Sequence, residues 1–81
     1  MTVQQAILTA MEDILGLDQE EMRDQLDLDL FENDLVDSLG LVTLINEVSG
    51  HIGHPIDVRR MPPEDLATVR RMTAAIEAQI G

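Results

Sequence analysis

Three stretches of this chain put apolar residues three and four positions apart, the spacing of helices that bury one face. Val3, Ala6, Ile7, Ala10, Met11, Ile14 and Leu15 form the first stripe. Leu39, Val42, Ile45, Val48 and Ile52 form the second, and Val69, Met72, Ile76 and Ile80 the third. Thr2 and Gln5 have capping-box spacing ahead of the first helix, and Gly16 suits the position just past its end. Ser38 is the natural N-cap of the second helix, which Gly53, His54 and Pro55 terminate. Thr68 caps the third, with Arg70 and Arg71 on its outer side. A turn or short helical piece is expected from Asp57 to Met61, before Pro62 and Pro63, which forbid regular structure there.

Between the first two stripes, about twenty residues from Leu17 to Asp37 show no sustained helical period. Leu26-Asp27-Leu28-Asp29-Leu30 alternates as a strand would. No second run exists to pair with it, and a lone strand would leave its backbone groups unsatisfied. Its leucines and Phe31 are therefore expected to pin a long loop against the helices, and loops of this length are often functional. The expected fold is all-α and one domain over residues 1–81: a small four-helix bundle, three main helices plus a short one, with a long loop between helices 1 and 2.

Composition narrows the function. The chain has no cysteine, so it holds neither disulfides nor a thiolate metal site. No apolar run approaches a membrane span, and nothing at the amino terminus reads as a secretion signal, so the cytoplasm is the expected compartment. Five arginines against sixteen acids give a net charge of −11. Nucleic acid and anionic lipid would repel such a chain, whereas basic protein surfaces would attract it. Residues 12–37 hold eleven of those acids against Arg23 alone. That segment serves either solubility or partner steering.

Enzyme constellations are missing. The five glycines (16, 40, 50, 53 and 81) fit no phosphate-binding loop. Counted from Asp27, an EF-hand would need Gly where Glu32 stands and Glu where Ser38 stands. His51 and His54 are three apart, but no third nitrogen or sulfur ligand accompanies them, so no metal site is assigned and surface histidines at a fraying helix end are expected. A chain of 81 residues hardly builds both a core and an enclosing substrate pocket, so no catalysis is expected.

What remains is Asp34-Leu35-Val36-Asp37-Ser38-Leu39-Gly40-Leu41-Val42. A hydroxyl at the opening of a helix is exposed, and the helix end tolerates a negatively charged group there. Asp37 is placed to orient that hydroxyl or to help hold a cation brought by a modifying enzyme. Taken alone, Ser38 also reads simply as a capping serine. The segment, together with length, acidity, helix order and loop placement, resembles the acyl carrier protein (phosphopantetheine-binding) family, in which Asp-Ser-Leu opens the second helix after a long loop. The resemblance covers essentially the whole chain, to the final helix entered by Leu66-Ala67-Thr68-Val69.

The resemblance implies that Ser38 accepts 4′-phosphopantetheine from coenzyme A through a magnesium-using phosphopantetheinyl transferase. The arm's thiol would then carry an acyl or aminoacyl thioester. It further implies an adenylate-forming ligase that loads the arm, a downstream acyl or aminoacyl transferase, and a monomeric carrier. The segment is most similar to stand-alone carriers of the D-alanyl and aminoacyl type, which often show Leu-Leu-Asp-Ser-hydrophobic-Gly. Fatty acid carriers more typically read Gly-Ala-Asp-Ser-Leu-Asp; here Val36 replaces the alanine and Gly40 the acid. Only Glu47 remains of the glutamates that fatty acid carriers bear along this helix, so routine service to fatty acid synthesis is not expected.

The partner-facing patch is accordingly expected to be more apolar than charged, made of Leu39, Leu41 and Val42 with Glu47. Val42 is also read, with Ile45 and Val48, as core, while burial of Leu41 and Leu44 is left open. The competing readings are a non-covalent acidic helical adaptor, which gives Asp37-Ser38 no purpose, and, within the family, a fatty acid or polyketide carrier.

Overall fold

The computed structural model describes residues 1–80, and among them every regular element is helical. Helix α1 runs Val3–Leu15. Thr2 Oγ1 accepts from the Gln5 N–H at 3.1 Å, but the Gln5 side chain does not close the capping box. Its amide donates instead to Gln19 Oε1 at 2.9 Å, tying α1 to the segment that follows. Gly16 ends α1 in the left-handed region, φ 70°, where a side chain would be strained, and its N–H returns to the Glu12 carbonyl.

The expected loop contains a helix that the apolar pattern does not reveal. Helix α2, Gln19–Arg23, is five residues long and buries only Met22, too little to show a period. Asp18 caps it by accepting from the Glu20 N–H at 2.8 Å. This is the short fourth helix of the bundle, and it lies ahead of the long loop rather than after it.

The loop, residues 24–37, forms no strand and is pinned as its leucines suggested. Leu30 is fully buried, and Leu26, Leu28, Phe31 and Leu35 pack against the core. The Leu30 N–H donates to the Ala67 carbonyl at 2.8 Å, and the Arg70 N–H to the Leu26 carbonyl at 3.0 Å. An exposed ion pair, Arg70 Nε to Asp27 Oδ1 at 2.7 Å, adds to the same attachment. Asp29 folds the loop on itself, its Oδ1 accepting from the Phe31 and Glu32 N–H groups.

Helix α3, Ser38–Ile52, ends at Gly53, φ 68°. Two 3₁₀ turns follow. The first, Val58–Arg60, is capped by Asp57, whose carboxyl is held below its usual range chiefly by the Arg59 side-chain hydrogen bond. The second, Pro63–Leu66, starts on a proline and corrects the expectation of irregular chain there. Proline has no N–H to lose at a first helical position and its φ is already suitable. Helix α4, Val69–Ile80, completes the fold, with Thr68 Oγ1 accepting from the Arg71 N–H at 3.1 Å.

Helix α1 packs on α2, α3 and α4, so its stripe is the centre of the core. Ile7, Leu8 and Met11 meet Leu44, Ile45 and Val48 of α3 and Met72 and Ile76 of α4 in one cluster with Leu30. Burying each of these side chains contributes about 1.5–3 kcal/mol. No described helix is long and apolar enough to cross a membrane.

Candidate functional site

The core stripe of α3 fixes what its other side presents. Leu41, Leu44, Ile45 and Val48 are buried, which turns residues 38, 39 and 42 outward. Leu39 is 78% exposed and Val42 45% exposed. Two expectations are corrected here. Val42 is not core, and Leu41, at 4% exposure, has no surface to offer a partner. The patch beside Ser38 is therefore Leu39 and Val42, bordered by the exposed Thr43, Asn46 and Glu47.

Ser38 is exposed, but it is not the N-cap. Asp37 holds that position in extended backbone, φ −112° and ψ 178°, and its Oδ1 accepts from the Gly40 N–H at 2.6 Å. Its carbonyl also accepts from the Leu41 N–H at 2.9 Å. The absence of a side chain on Gly40 leaves room for this cap: a Cβ there would stand 3.1 Å from Asp37 Oδ1. With Asp37 doing the capping, the Ser38 hydroxyl is the first side chain of the helix and is not used by it. The N–H groups of Ser38 and Leu39 belong to the helix's first turn, which has no intrahelical acceptors. They and the helix dipole favour an anionic group on that hydroxyl.

Ahead of the cap, Asp34 takes a left-handed conformation, φ 55°, which aspartate tolerates better than most side chains. The Leu35 N–H then returns to the Leu30 carbonyl at 2.9 Å, and Val36 is buried. The turn that delivers Ser38 is thus tied to the most buried residue of the loop. Beside it lies an open cleft of about 500 Å³, walled by Ile14 and Leu15 of α1, residues 34–37 and Gly40. An exposed hydroxyl at a helix N-terminus, with an open cleft beside the preceding turn, is accessible to a modifying enzyme and tolerant of an anionic group.

Removing the Asp37 cap tests this construction. Asp37→Ala is expected to lower stability by about 1 kcal/mol, measured by urea unfolding, while Asp37→Asn, whose Oδ1 can accept the same Gly40 N–H, keeps most of that stability.

The histidines considered together in the sequence are separated by the structure. His54 lies beyond Gly53 and its Nδ1–H donates to the Pro55 carbonyl at 2.7 Å. His51 stays on α3, 3.7 Å from Glu47.

Comparison with known proteins agrees with this geometry. Residues 5–76 match the family described as phosphopantetheine attachment site, and the chain belongs to that family. It is similar to the D-alanyl carrier protein of Enterococcus faecalis (strain ATCC 700802 / V583), 35% identical over 96% of this chain and 97% of the relative. It is also similar to the D-alanyl carrier protein of Lactococcus lactis subsp. cremoris (strain MG1363), 32% identical over 93% of this chain and 92% of the relative. A third, from Leuconostoc mesenteroides subsp. mesenteroides, is 28% identical over the full length of both. No solved structure gave a significant match.

The protein is therefore a phosphopantetheine-bearing carrier without catalysis of its own. Carriers of this family depend on a transferase that installs the arm and a ligase that loads it.

Proposed function

We propose that Ser38 is the attachment residue and that the arm carries an aminoacyl group, D-alanine first among the candidates. The observation that carries the assignment is the exposed Ser38 hydroxyl on the first residue of α3, left free because Asp37 makes the cap. The arm supplies a thiol for a thioester, which a chain without cysteine lacks. Residue by residue, Ser38 anchors, Asp37 fixes the helix opening, and Leu39 and Val42 offer apolar contact to partners, with Glu47 at the border. The D-alanyl assignment is supported by relatives bearing that name along nearly the whole chain. In this reading residues 1–81 are one monomeric carrier domain, working in the cytoplasm with a phosphopantetheinyl transferase, an adenylate-forming ligase and a downstream aminoacyl transferase.

Intact mass spectrometry tests both levels. Incubation with coenzyme A, magnesium and a broad-specificity transferase is expected to add one phosphopantetheinyl group, located on the peptide containing Ser38. An unchanged mass beside a working control carrier would leave the non-covalent acidic adaptor instead. The modified chain is then expected to take D-alanine from an adenylate-forming D-alanine ligase. Loading with fatty acyl groups alone would move it to the fatty acid or polyketide carriers.

A further inference from the structure

Away from Ser38, three side chains with metal-binding atoms converge on one spot. Asp13 of α1 and Glu47 and His51 of α3 bring one ligand atom each to within 4.8 Å of one another. Glu47 and His51 are four apart on α3, which puts them on one helix face, with His51 Nε2 3.7 Å from Glu47 Oε1. A second observation concerns that nitrogen: His51 Nε2 is shut off from solvent and makes no hydrogen bond. A buried polar atom without a partner is uncommon and calls for an explanation. The two carboxylates beside it are exposed and repel each other. A cation would resolve both problems at once.

We propose that Asp13, Glu47 and His51 form a divalent transition-metal site of the zinc class, joining α1 to α3. Ligand atoms around a tetrahedral zinc, bonded at about 2.0–2.2 Å, stand roughly 3.3–3.6 Å apart. The Glu47–His51 distance is already close to this, and Asp13, an exposed side chain, has the freedom to close the remainder. An imidazole with two carboxylates selects zinc-like ions over magnesium or calcium, which prefer all-oxygen shells. Three protein ligands leave coordination positions for water. Glu47 follows Ser38 by nine residues, about 14 Å along the helix axis. The site is therefore separate from the serine and from any magnesium used in its modification. Its effect is on the fold: it staples the two helices that carry most of the core.

The test is titration of the chelator-treated chain, Ser38 unmodified, with Zn²⁺ by calorimetry and with Co²⁺ by visible absorption, alongside thermal unfolding in each ion. One Zn²⁺ per chain and a raised Tm are expected. His51→Gln removes the Co²⁺ absorption bands, and Asp13→Asn and Glu47→Gln each weaken binding about tenfold or more. Glu32→Gln, an exposed acid outside the cluster, leaves binding unchanged. Circular dichroism confirms that each variant is folded, and Asp13→Asn, at an exposed position, keeps the test open if His51→Gln unfolds. The proposal fails if no saturable binding occurs. It fails equally if the cluster variants bind as wild type does, or if Mg²⁺ raises the Tm as much as Zn²⁺, since either marks diffuse attraction to an acidic surface.

Discussion

Ser38→Ala is expected to abolish attachment of the arm completely while leaving the stability of the fold within about 0.5 kcal/mol of wild type. Both halves of this result follow from one detail. Were Ser38 the N-cap, alanine would remove a hydrogen bond from the helix opening and lower stability by about 1 kcal/mol. The cap belongs to Asp37, and the Ser38 hydroxyl points away from helix duty into solvent. Intact mass after transferase treatment measures the attachment, and urea unfolding the stability. A modified mass in the alanine variant would place the arm elsewhere. A large drop in stability would return the cap to Ser38. Ser38→Ala and Asp37→Ala are thus complementary: one removes chemistry and spares the helix end, the other weakens the helix end and spares the hydroxyl.

Leu30→Ala is expected to destabilise the protein by about 3 kcal/mol, a large fraction of the roughly 4–12 kcal/mol usual for a chain of this size. Leu30 is a loop residue, yet it has no exposed surface and sits in the central cluster. Its backbone also receives the Leu35 N–H and gives its own N–H to Ala67. Truncation therefore leaves a cavity at the point where the loop, the turn before α4 and the serine-bearing turn meet. Leu39→Ala is the control, since a side chain 78% exposed changes stability by no more than about 0.5 kcal/mol. Chemical denaturation distinguishes them directly. If both leucines cost the same, the loop is not seated as described.

How much of this was legible in the sequence depended on the regularity of each segment. Helices α1 and α4 alternate steps of three and four, and both were readable together with their caps. Helix α3 was harder. Leu39, Val42, Ile45 and Val48 are spaced by three only, and at about 100° per residue each such step slips about 60° around the helix. Four of them span half its circumference and cannot all be buried. Leu41, Leu44, Ile45, Val48 and Ile52 mix threes and fours and stay within one face, which is the set that the structure packs inward. That signal was present and would have placed Leu39 and Val42 outside and Leu41 inside.

Other features had no such signal. Asp37 and Ser38 are both good caps, and only the backbone conformation decides between neighbours. Helix α2 has five residues and one buried side chain, so no periodicity exists to detect. The family resemblance was legible because Asp37-Ser38-Leu39 follows a long loop at the head of a helix, a relation between elements rather than a pattern within one. The approach of Asp13 to Glu47 and His51 depends on how α1 and α3 cross, which no spacing along the chain encodes.

The hydrogen bonds from Leu30 to Ala67 and from Arg70 to Leu26 join positions nearly forty residues or more apart. On a ribosome, the stretch leading into Ser38 is synthesised well before the partners that hold it in place. Its final shape waits for α4 to emerge, so with Ser38 as the proposed attachment residue a chain still being translated presents that serine before the contacts that shape its turn exist. The architecture thereby favours tether installation on finished molecules over nascent ones.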